Sequence, residues 1–279
     1  MEKRQKKISA LRWLICGGLI GAGAILPGVS GGVLAVIFDI YRPFMEILTS
    51  PRKALPKYWR GFIPLALGWV VGFLGFAKGI SAAIRLSDAV TTWLFIGLIA
   101  GTMPSLFREA GKEGRPRSGW VSFVLCAAAM FSMLFYVSHV AGVEAELNFW
   151  WYNFCGALWG MGIVIPGMTT SSVLMALGLY QPLLDGLARL DLLVLSTALP
   201  AMLITMALLA RGVNWLFRHH YAVAFHGILG IVAASTLVIL PYSYAGPGEM
   251  LLSALFAVAG AVMAYFLDRL DQRSREKEN

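Results

Sequence analysis

The sequence predicts an all-α polytopic membrane protein built as an inverted-topology repeat, in which each half is one re-entrant helical hairpin plus three transmembrane helices. Three observations lead to this prediction. Of its 279 residues, 58% are hydrophobic and only 14% are charged, whereas soluble domains are about a quarter charged. Two long apolar segments are interrupted at matching positions, as in many secondary transporters. Lysine and arginine are concentrated in alternate loops, which orients the crossings.

The two interrupted segments, 13–48 and 149–187, repeat each other in register. Their breaks lie at Pro27 and Pro166, about 139 residues apart, and a glycine follows each proline. Proline lacks an amide hydrogen and glycine tolerates many backbone conformations, so each segment is predicted as helix, loop and helix. Further positions are shared by the two copies: Cys16 and Cys155, Gly17 and Gly156, Gly21 and Gly160, Gly23 and Gly162, Tyr41 and Tyr180, and Pro43 and Pro182.

The arms of the interrupted segments are too short to cross a membrane. In the first copy they cover roughly residues 12–25 and 33–48, about 20 to 25 Å each at ~1.5 Å per residue, whereas the hydrocarbon core is about 30 Å thick. Each interrupted segment is therefore predicted to enter the membrane and return to the same side. Six other apolar stretches are the predicted crossings: 62–77, 93–107 and 120–140 in the first half, and 192–210, 221–240 and 250–267 in the second.

Basic residues predict which loops are cytoplasmic, because short loops rich in lysine and arginine stay inside. Of the 23 basic residues, 19 lie in five segments: the N-terminus, 49–60, 108–118, 211–220 and the tail 268–279. Both termini are therefore predicted to be cytoplasmic. Three crossings per half turn the second repeat, 149–267, upside down relative to the first, 1–140. The two tips would then approach each other from opposite faces of the membrane.

Several classes of protein are excluded by what the sequence lacks. The three cysteines, Cys16, Cys126 and Cys155, lie in apolar runs without metal-ligand spacing. No nucleotide-binding or zinc-protease motif is present, and no nucleophile stands beside a base. We expect no metal or cofactor and no enzymatic activity. The formal net charge of +8 lies in short loops and termini, which suits an anionic membrane surface rather than nucleic acid.

The two tips form the predicted binding site. Irregular backbone at membrane depth must be buried in protein or line a wet cavity. A new helix begins after each break, so its free amides and partial positive charge face the tip, and glycine lets such amides approach an anion. The predicted phosphate-binding residues are the glycines and hydroxyl residues of the tips: Gly28, Ser30, Gly31, Gly32, Gly167, Thr169, Thr170, Ser171 and Ser172.

Close helix packing is the competing interpretation of the small residues, because glycine lets membrane helices approach each other. We favour packing for the glycines that precede the two breaks: Gly17, Gly21, Gly23, Gly156, Gly160 and Gly162.

Charged residues within apolar segments are the second indication of function, since they are costly in a membrane. Asp39 follows the first tip, and burial would raise its pKa and suit it to carry a proton. A structural pair with Arg42 is the alternative, and the two residues are the predicted ion-coupling group. Lys78 and Arg85 are predicted to lie near the outer face, where they would attract a lipid phosphate, although snorkelling at a helix end is the ordinary explanation for such cations.

The two tips resemble the paired motifs of the bacterial polyprenyl-phosphate transporter family. The resemblance lies in Ile25-Leu26-Pro27-Gly28-Val29-Ser30-Gly31-Gly32 with Tyr41, and in Ile165-Pro166-Gly167-Met168-Thr169-Thr170-Ser171-Ser172 with Leu177-Gly178-Leu179-Tyr180. It extends over nearly the whole chain. The second copy differs from the family pattern at Thr169 to Ser172, where that pattern has Ser-Gly-Ser, and at Gln181, where it has an acid.

The resemblance implies an undecaprenyl phosphate translocase that returns this carrier lipid from the outer to the inner leaflet of the bacterial inner membrane for cell wall biogenesis. The partner it implies is a polyprenyl-phosphate lipid. Composition and spacing by themselves indicate only a transporter. An ion-coupled transporter of a small water-soluble anion therefore remains the alternative, because the same tip chemistry would serve it. A lateral opening between helices would favour the lipid.

Overall fold

A computed structural model describes residues 10–27, 34–35, 38, 40, 43, 51–139, 148–165 and 170–278. Within these ranges the chain forms helices and no strand. In chain order they are α1 (Ala10–Ile25), α2 (Pro51–Leu86), α3 (Asp88–Ala110), α4 (Arg117–His139), α5 (Phe149–Val164), α6 (Thr170–Ala176), α7 (Tyr180–Ala188), α8 (Leu192–His219), α9 (Tyr221–Val238) and α10 (Pro247–Glu278).

Six of these helices, α2, α3, α4, α8, α9 and α10, are long and apolar enough to cross a membrane. The predicted all-α membrane protein with six such segments is thus confirmed. Two of the helices extend well beyond the predicted stretches: α2 covers Pro51–Leu86 rather than 62–77, and α10 covers Pro247–Glu278 rather than 250–267. Hydropathy marks only the apolar part of a helix, and lysine, arginine and glutamate continue a helix readily.

Two shorter apolar helices end just before the predicted breaks. α1 ends at Ile25 and α5 ends at Val164, each two residues before a proline. Each has 16 residues and is about 24 Å long at ~1.5 Å per residue. Proline disfavours a helical conformation in the residue before it, which explains where both helices stop.

A further break, which the sequence analysis did not predict, separates α6 from α7. Gly178 adopts a positive φ of 70°, which glycine tolerates without strain. The amide of Leu179 donates to the carbonyl of Leu174 at 2.9 Å and that of Gly178 to Met175 at 2.9 Å. This pairing is a Schellman cap, so the chain leaves α6 and starts α7 at Tyr180.

Helices α1 and α2 are in close contact and run in the same direction. A Cβ atom on Gly17 would lie 2.1 Å from the carbonyl oxygen of Leu65. A Cβ on Gly21, one turn later, would lie 2.3 Å from that of Trp69. The contacts therefore advance along both helices together. Glycine at these positions lets the two backbones touch, as the packing interpretation expects.

Helices α5 and α8 form the matching pair in the second half. A Cβ on Gly156 would lie 2.1 Å from the carbonyl oxygen of Ala198, and one on Gly160 would lie 2.6 Å from that of Met202. These helices also run in the same direction. Gly156 is the counterpart of Gly17, so its contact residue Ala198 corresponds to Leu65, the contact residue of Gly17. The two contact residues are 133 positions apart, and this offset aligns α8 with α2.

The remaining crossings pair between the halves. A Cβ on Gly97 of α3 would lie 2.0 Å from the carbonyl oxygen of Ala257 on α10, and one on Gly230 of α9 would lie 2.3 Å from that of Phe123 on α4. Gly230 follows Gly97 by 133 residues, the same offset as between α2 and α8. The second long apolar helix of each half (α3 and α9) therefore packs against the third of the other half (α10 and α4).

One hydrophobic core joins the two interrupted segments. Ile25 at the end of α1 shares a buried cluster with Phe73 of α2, Phe95 of α3, Leu174 of α6 and Leu184 of α7. Phe73 also packs against Trp159 of α5, with ring centroids 5.5 Å apart. The end of α1 and the region around α6 and α7 therefore meet in the interior.

Candidate functional site

Most of the residues predicted to bind phosphate or couple ions lie outside the described part of the chain. These are Gly28, Ser30, Gly31, Gly32, Gly167, Thr169, Asp39 and Arg42. Their roles remain predictions.

The described residues of the second tip begin α6. Thr170 and Ser172 are buried, and Ser171 is half-buried. The Ser172 hydroxyl lies 2.8 Å from that of Ser235 on α9, and Ser235 donates to the carbonyl of Val232 at 3.1 Å. Ser172 thus connects the second tip to a crossing helix. The phosphate-binding role of these three hydroxyl residues remains a prediction.

Gly162 lies against the start of α6. A Cβ on Gly162 would come within 2.6 Å of Thr170 Oγ1, so the glycine allows the end of α5 and the start of α6 to pack side by side. This position is explained by packing, the interpretation favoured from the sequence.

Tyr180 links the second interrupted segment to the first. Its hydroxyl donates a 2.8 Å hydrogen bond to the carbonyl oxygen of Ile25 at the end of α1, and both residues are buried. Its ring meets the edge of Phe95 at a centroid distance of 6.0 Å. The sequence marked Tyr180 only as the counterpart of Tyr41, and this bond to the end of α1 was missed.

We expect Tyr180→Phe to loosen the contact between the two segments. The change leaves the buried Ile25 carbonyl without this donor, which costs about 1–3 kcal/mol for such a group. The thermal unfolding temperature of the purified protein should fall, whereas Tyr265→Phe, an exposed tyrosine of α10, should leave it unchanged. Equal unfolding temperatures for Tyr180→Phe and the parent would mean that the bond contributes nothing.

A cavity of about 230 Å³ lies between α2 and α7. Its polar residues are Lys78, Ser81 and Arg85 of α2 with Asp185 of α7 and Arg189, which follows α7. We call this cavity the outer cavity, because Lys78 and Arg85 are predicted to lie near the outer face of the membrane. Ser81 is three residues after Lys78, and Arg85 is four residues after Ser81. This spacing places the three residues on one face of α2.

Asp185 accepts hydrogen bonds from two residues of α2. Arg85 donates to one carboxylate oxygen at 2.6 Å, and Ser81 donates to the other. Partial burial alone would raise the pKa of the Asp185 carboxyl, but these hydrogen bonds, together with the charges of Arg85 and Arg189, outweigh it and lower the pKa. Asp185 is therefore ionised at neutral pH.

The outer cavity has excess positive charge. Lys78, Arg85 and Arg189 contribute three cations and Asp185 one anion, so its net charge is about +2 at neutral pH. Arg85 is about half exposed, with 53% of its side chain accessible. Lys78 and Arg189 are exposed too. These groups are accessible to an anion that approaches from outside the protein.

Exposed leucines lie close in the chain to two cations of the outer cavity. Leu86, next to Arg85, is 88% exposed, while Leu190 and Leu192, just beyond Arg189, are 55% and 80% exposed. Large apolar side chains exposed beside cations are typical of a surface that faces lipid. Lys78 and Arg85 were predicted from the sequence, whereas Ser81, Asp185 and Arg189 were not. The three- and four-residue spacing along α2 was an available signal for Ser81 only.

Metal ligands do not cluster in the described ranges: no group of three or more His, Cys, Asp or Glu residues that could hold a metal ion occurs there. The polar groups of the outer cavity are instead three cations, one hydroxyl and one carboxylate, and the cations, which are in excess, suit the binding of an anion.

Comparison with known proteins decides the family. A model of the undecaprenyl phosphate translocase-like family matches residues 20–251. The chain belongs to this family. The matched range includes both tips and all five polar residues of the outer cavity. The resemblance seen in the two tip motifs is thereby confirmed.

A curated relative supports the same family. A polyprenyl-phosphate transporter of Vibrio cholerae serotype O1 is 22% identical over 251 residues, covering 85% of this chain and 80% of its own length. No solved structure matches this chain. A family of lipid-carrier transporters and six long apolar helices identify a multi-pass membrane protein of the transporter type.

Proposed function

We propose that this member of the undecaprenyl phosphate translocase-like family returns undecaprenyl phosphate from the outer to the inner leaflet of the bacterial cytoplasmic membrane. The observation that carries the proposal is the outer cavity, where cations stand beside exposed leucines. A phosphate headgroup would bind Lys78 and Arg85, while its polyprenyl chain would remain in lipid along the exposed apolar surface. The protein acts as a carrier and not as an enzyme.

The packing of the short helices supports two re-entrant hairpins. Helix α1 runs parallel to α2, and α5 runs parallel to α8. A re-entrant hairpin between the two members of each pair would account for this parallel arrangement. Matching contacts at a 133-residue offset in both halves support the inverted repeat, and both termini are then cytoplasmic.

The phosphate would pass between the two tips during transport. The bond from Tyr180 to Ile25 brings the end of α1 next to the second interrupted segment, as expected if the tips meet near the midplane. In this proposal Gly28, Ser30, Gly31 and Gly32 of the first tip supply amides and a hydroxyl. The second tip supplies those of Gly167, Thr169, Thr170, Ser171 and Ser172.

Transport into an energised cell needs a coupling ion. Moving phosphate inward carries negative charge against an inside-negative potential, at about 2.3 kcal/mol per elementary charge per 100 mV. A proton that enters with the lipid would cancel part of this cost. Asp39, beside Arg42 on the arm after the first tip, is the acid proposed to carry it.

Proteoliposomes test the proposed function and its coupling together. The parent protein should move undecaprenyl phosphate from the outer to the inner leaflet, faster with an inwardly directed proton gradient, and should not take up orthophosphate. Asp39→Asn should still transport lipid but lose the response to the gradient. Uptake of orthophosphate without lipid movement would contradict the proposal and establish the transporter of a small anion. A normal gradient response in Asp39→Asn would make that residue structural.

A further inference from the structure

The polar residues that α2 contributes to the outer cavity recur in α8. The glycine contacts of the two short helices align α8 with α2 at an offset of 133 residues. At that offset every polar position has a polar counterpart: Lys78 corresponds to Arg211, Ser81 to Asn214 and Arg85 to Arg218. Both cations that α2 contributes to the outer cavity are matched by cations of α8, within helices that otherwise share few identical residues.

A glycine beside the first cation recurs as well. Gly79 follows Lys78, and Gly212 follows Arg211. A Cβ on either glycine would meet nothing within 4 Å, so neither is required by close packing with the described residues. Open space beside the first cation is thus common to α2 and α8.

The two cations of α8 have the same sequence spacing as the two α2 cations of the outer cavity. Arg211 and Arg218 are seven residues apart, as Lys78 and Arg85 are, which is about two turns or ~10 Å along one helix face. They lie in the last turns of α8, which ends at His219, in the stretch expected on the cytoplasmic side. Arg218 is exposed. The matching α2 residues lie towards the outer end of their helix.

We propose that Arg211 and Arg218 form a second binding site for the phosphate-monoester headgroup of a polyprenyl lipid, on the cytoplasmic side, where the lipid is released. The proposal rests on the proposed transport function. A phosphate monoester carries about −1.5 to −2 charge at neutral pH, and guanidinium groups bind phosphate oxygens through paired hydrogen bonds. A site at each face gives the headgroup matched end points for its passage between the tips.

Alkylation of paired cysteines tests the second site. In the full-length protein, purified in detergent so that both faces are accessible, alanine first replaces the native cysteines. Gly79→Cys and Gly212→Cys then place one thiol beside each cation pair. Gly248→Cys, also in open space but with no cation next to it in the sequence, is the control. The rate of alkylation by a small maleimide is measured with farnesyl phosphate, farnesol or orthophosphate.

Farnesyl phosphate should slow alkylation at both test positions and not at the control. At a concentration about four times the dissociation constant the rate should fall about fivefold, because only the empty fraction reacts. Changing both Arg211 and Arg218 to Gln should remove protection at Gly212→Cys and preserve it at Gly79→Cys.

Three results would overturn the inference. Protection at Gly79→Cys alone would remove the cytoplasmic site and leave the proposed function standing. Protection at Gly212→Cys that persists without Arg211 and Arg218 would assign it to other residues. Equal protection by orthophosphate or by farnesol would exclude a lipid headgroup as the ligand. If no position is protected and proteoliposomes also fail to move the lipid, the proposed function itself fails.

Discussion

Gly68→Ala is expected to destabilise the protein severely, because a single methyl group there forces α1 away from α2. A Cβ on Gly68 would lie 1.9 Å from the carbonyl oxygen of Leu14 and 2.8 Å from its carbonyl carbon. Both atoms belong to the helix backbone, so no side-chain rotation can relieve the overlap. Overpacking costs about 1–3 kcal/mol even in cores that can adjust. We expect a lower thermal unfolding temperature in detergent and a smaller monodisperse fraction.

Gly75→Ala is the matched control on the same helix. A Cβ on Gly75 would meet nothing within 4 Å. Alanine there should leave stability unchanged or raise it by up to about 1 kcal/mol, because glycine is the poorer helix former. If Gly68→Ala and Gly75→Ala unfold at the same temperature, the close contact between α1 and α2 does not contribute to stability.

Arg85→Gln is expected to lower lipid transport about tenfold. The change removes a cation that would bind the headgroup, and it also removes one of the two hydrogen-bond donors to Asp185. A hydrogen bond to a charged group contributes about 1.5–3 kcal/mol, and the lower part of that range applies to a half-exposed guanidinium. Arg85→Lys should lie in between, since lysine keeps the charge but not the paired donors. Initial rates in proteoliposomes give the comparison.

The control for Arg85→Gln removes a cation elsewhere. Lys112 lies in the connection between α3 and α4 and pairs with Glu109 of α3 in an exposed contact of 2.7 Å. Lys112→Gln should transport at the parent rate, because exposed pairs contribute little. An equal fall in both variants would point to a general effect of charge. Unchanged transport in Arg85→Gln would remove the outer cavity from the proposed path.

The glycine contacts explain why the small residues of this chain were difficult to interpret from sequence. Gly17 and Gly156 occupy repeated positions, and a spacing pattern alone is consistent with an anion site or with close packing. The carbonyls of Leu65 and Ala198 beside them show helix contact at both. Where a glycine faces open space, as at Gly79 and Gly212, close packing with the described residues gives no reason for its presence.

The sequence by itself determined the crossings, the two breaks and the repeat. Each depends on residues close together in the chain: apolar runs long enough for a bilayer, and Pro27 and Pro166, which end helices locally. It also carried the family resemblance. The full length of α10 and the break at Gly178 were not predicted, because a hydropathy pattern does not contain helix propensity or cap geometry.

Only the tertiary structure decided which residues meet. Asp185 reaches Arg85 across 100 positions, and Tyr180 reaches Ile25 across 155. Such contacts depend on which helix faces pack together, and the apolar pattern of a membrane helix hardly specifies that, because lipid and protein are equally apolar surroundings. The fold brings the carboxylate of α7 to the cations of α2, and this contact forms the cavity that the local sequence does not reveal.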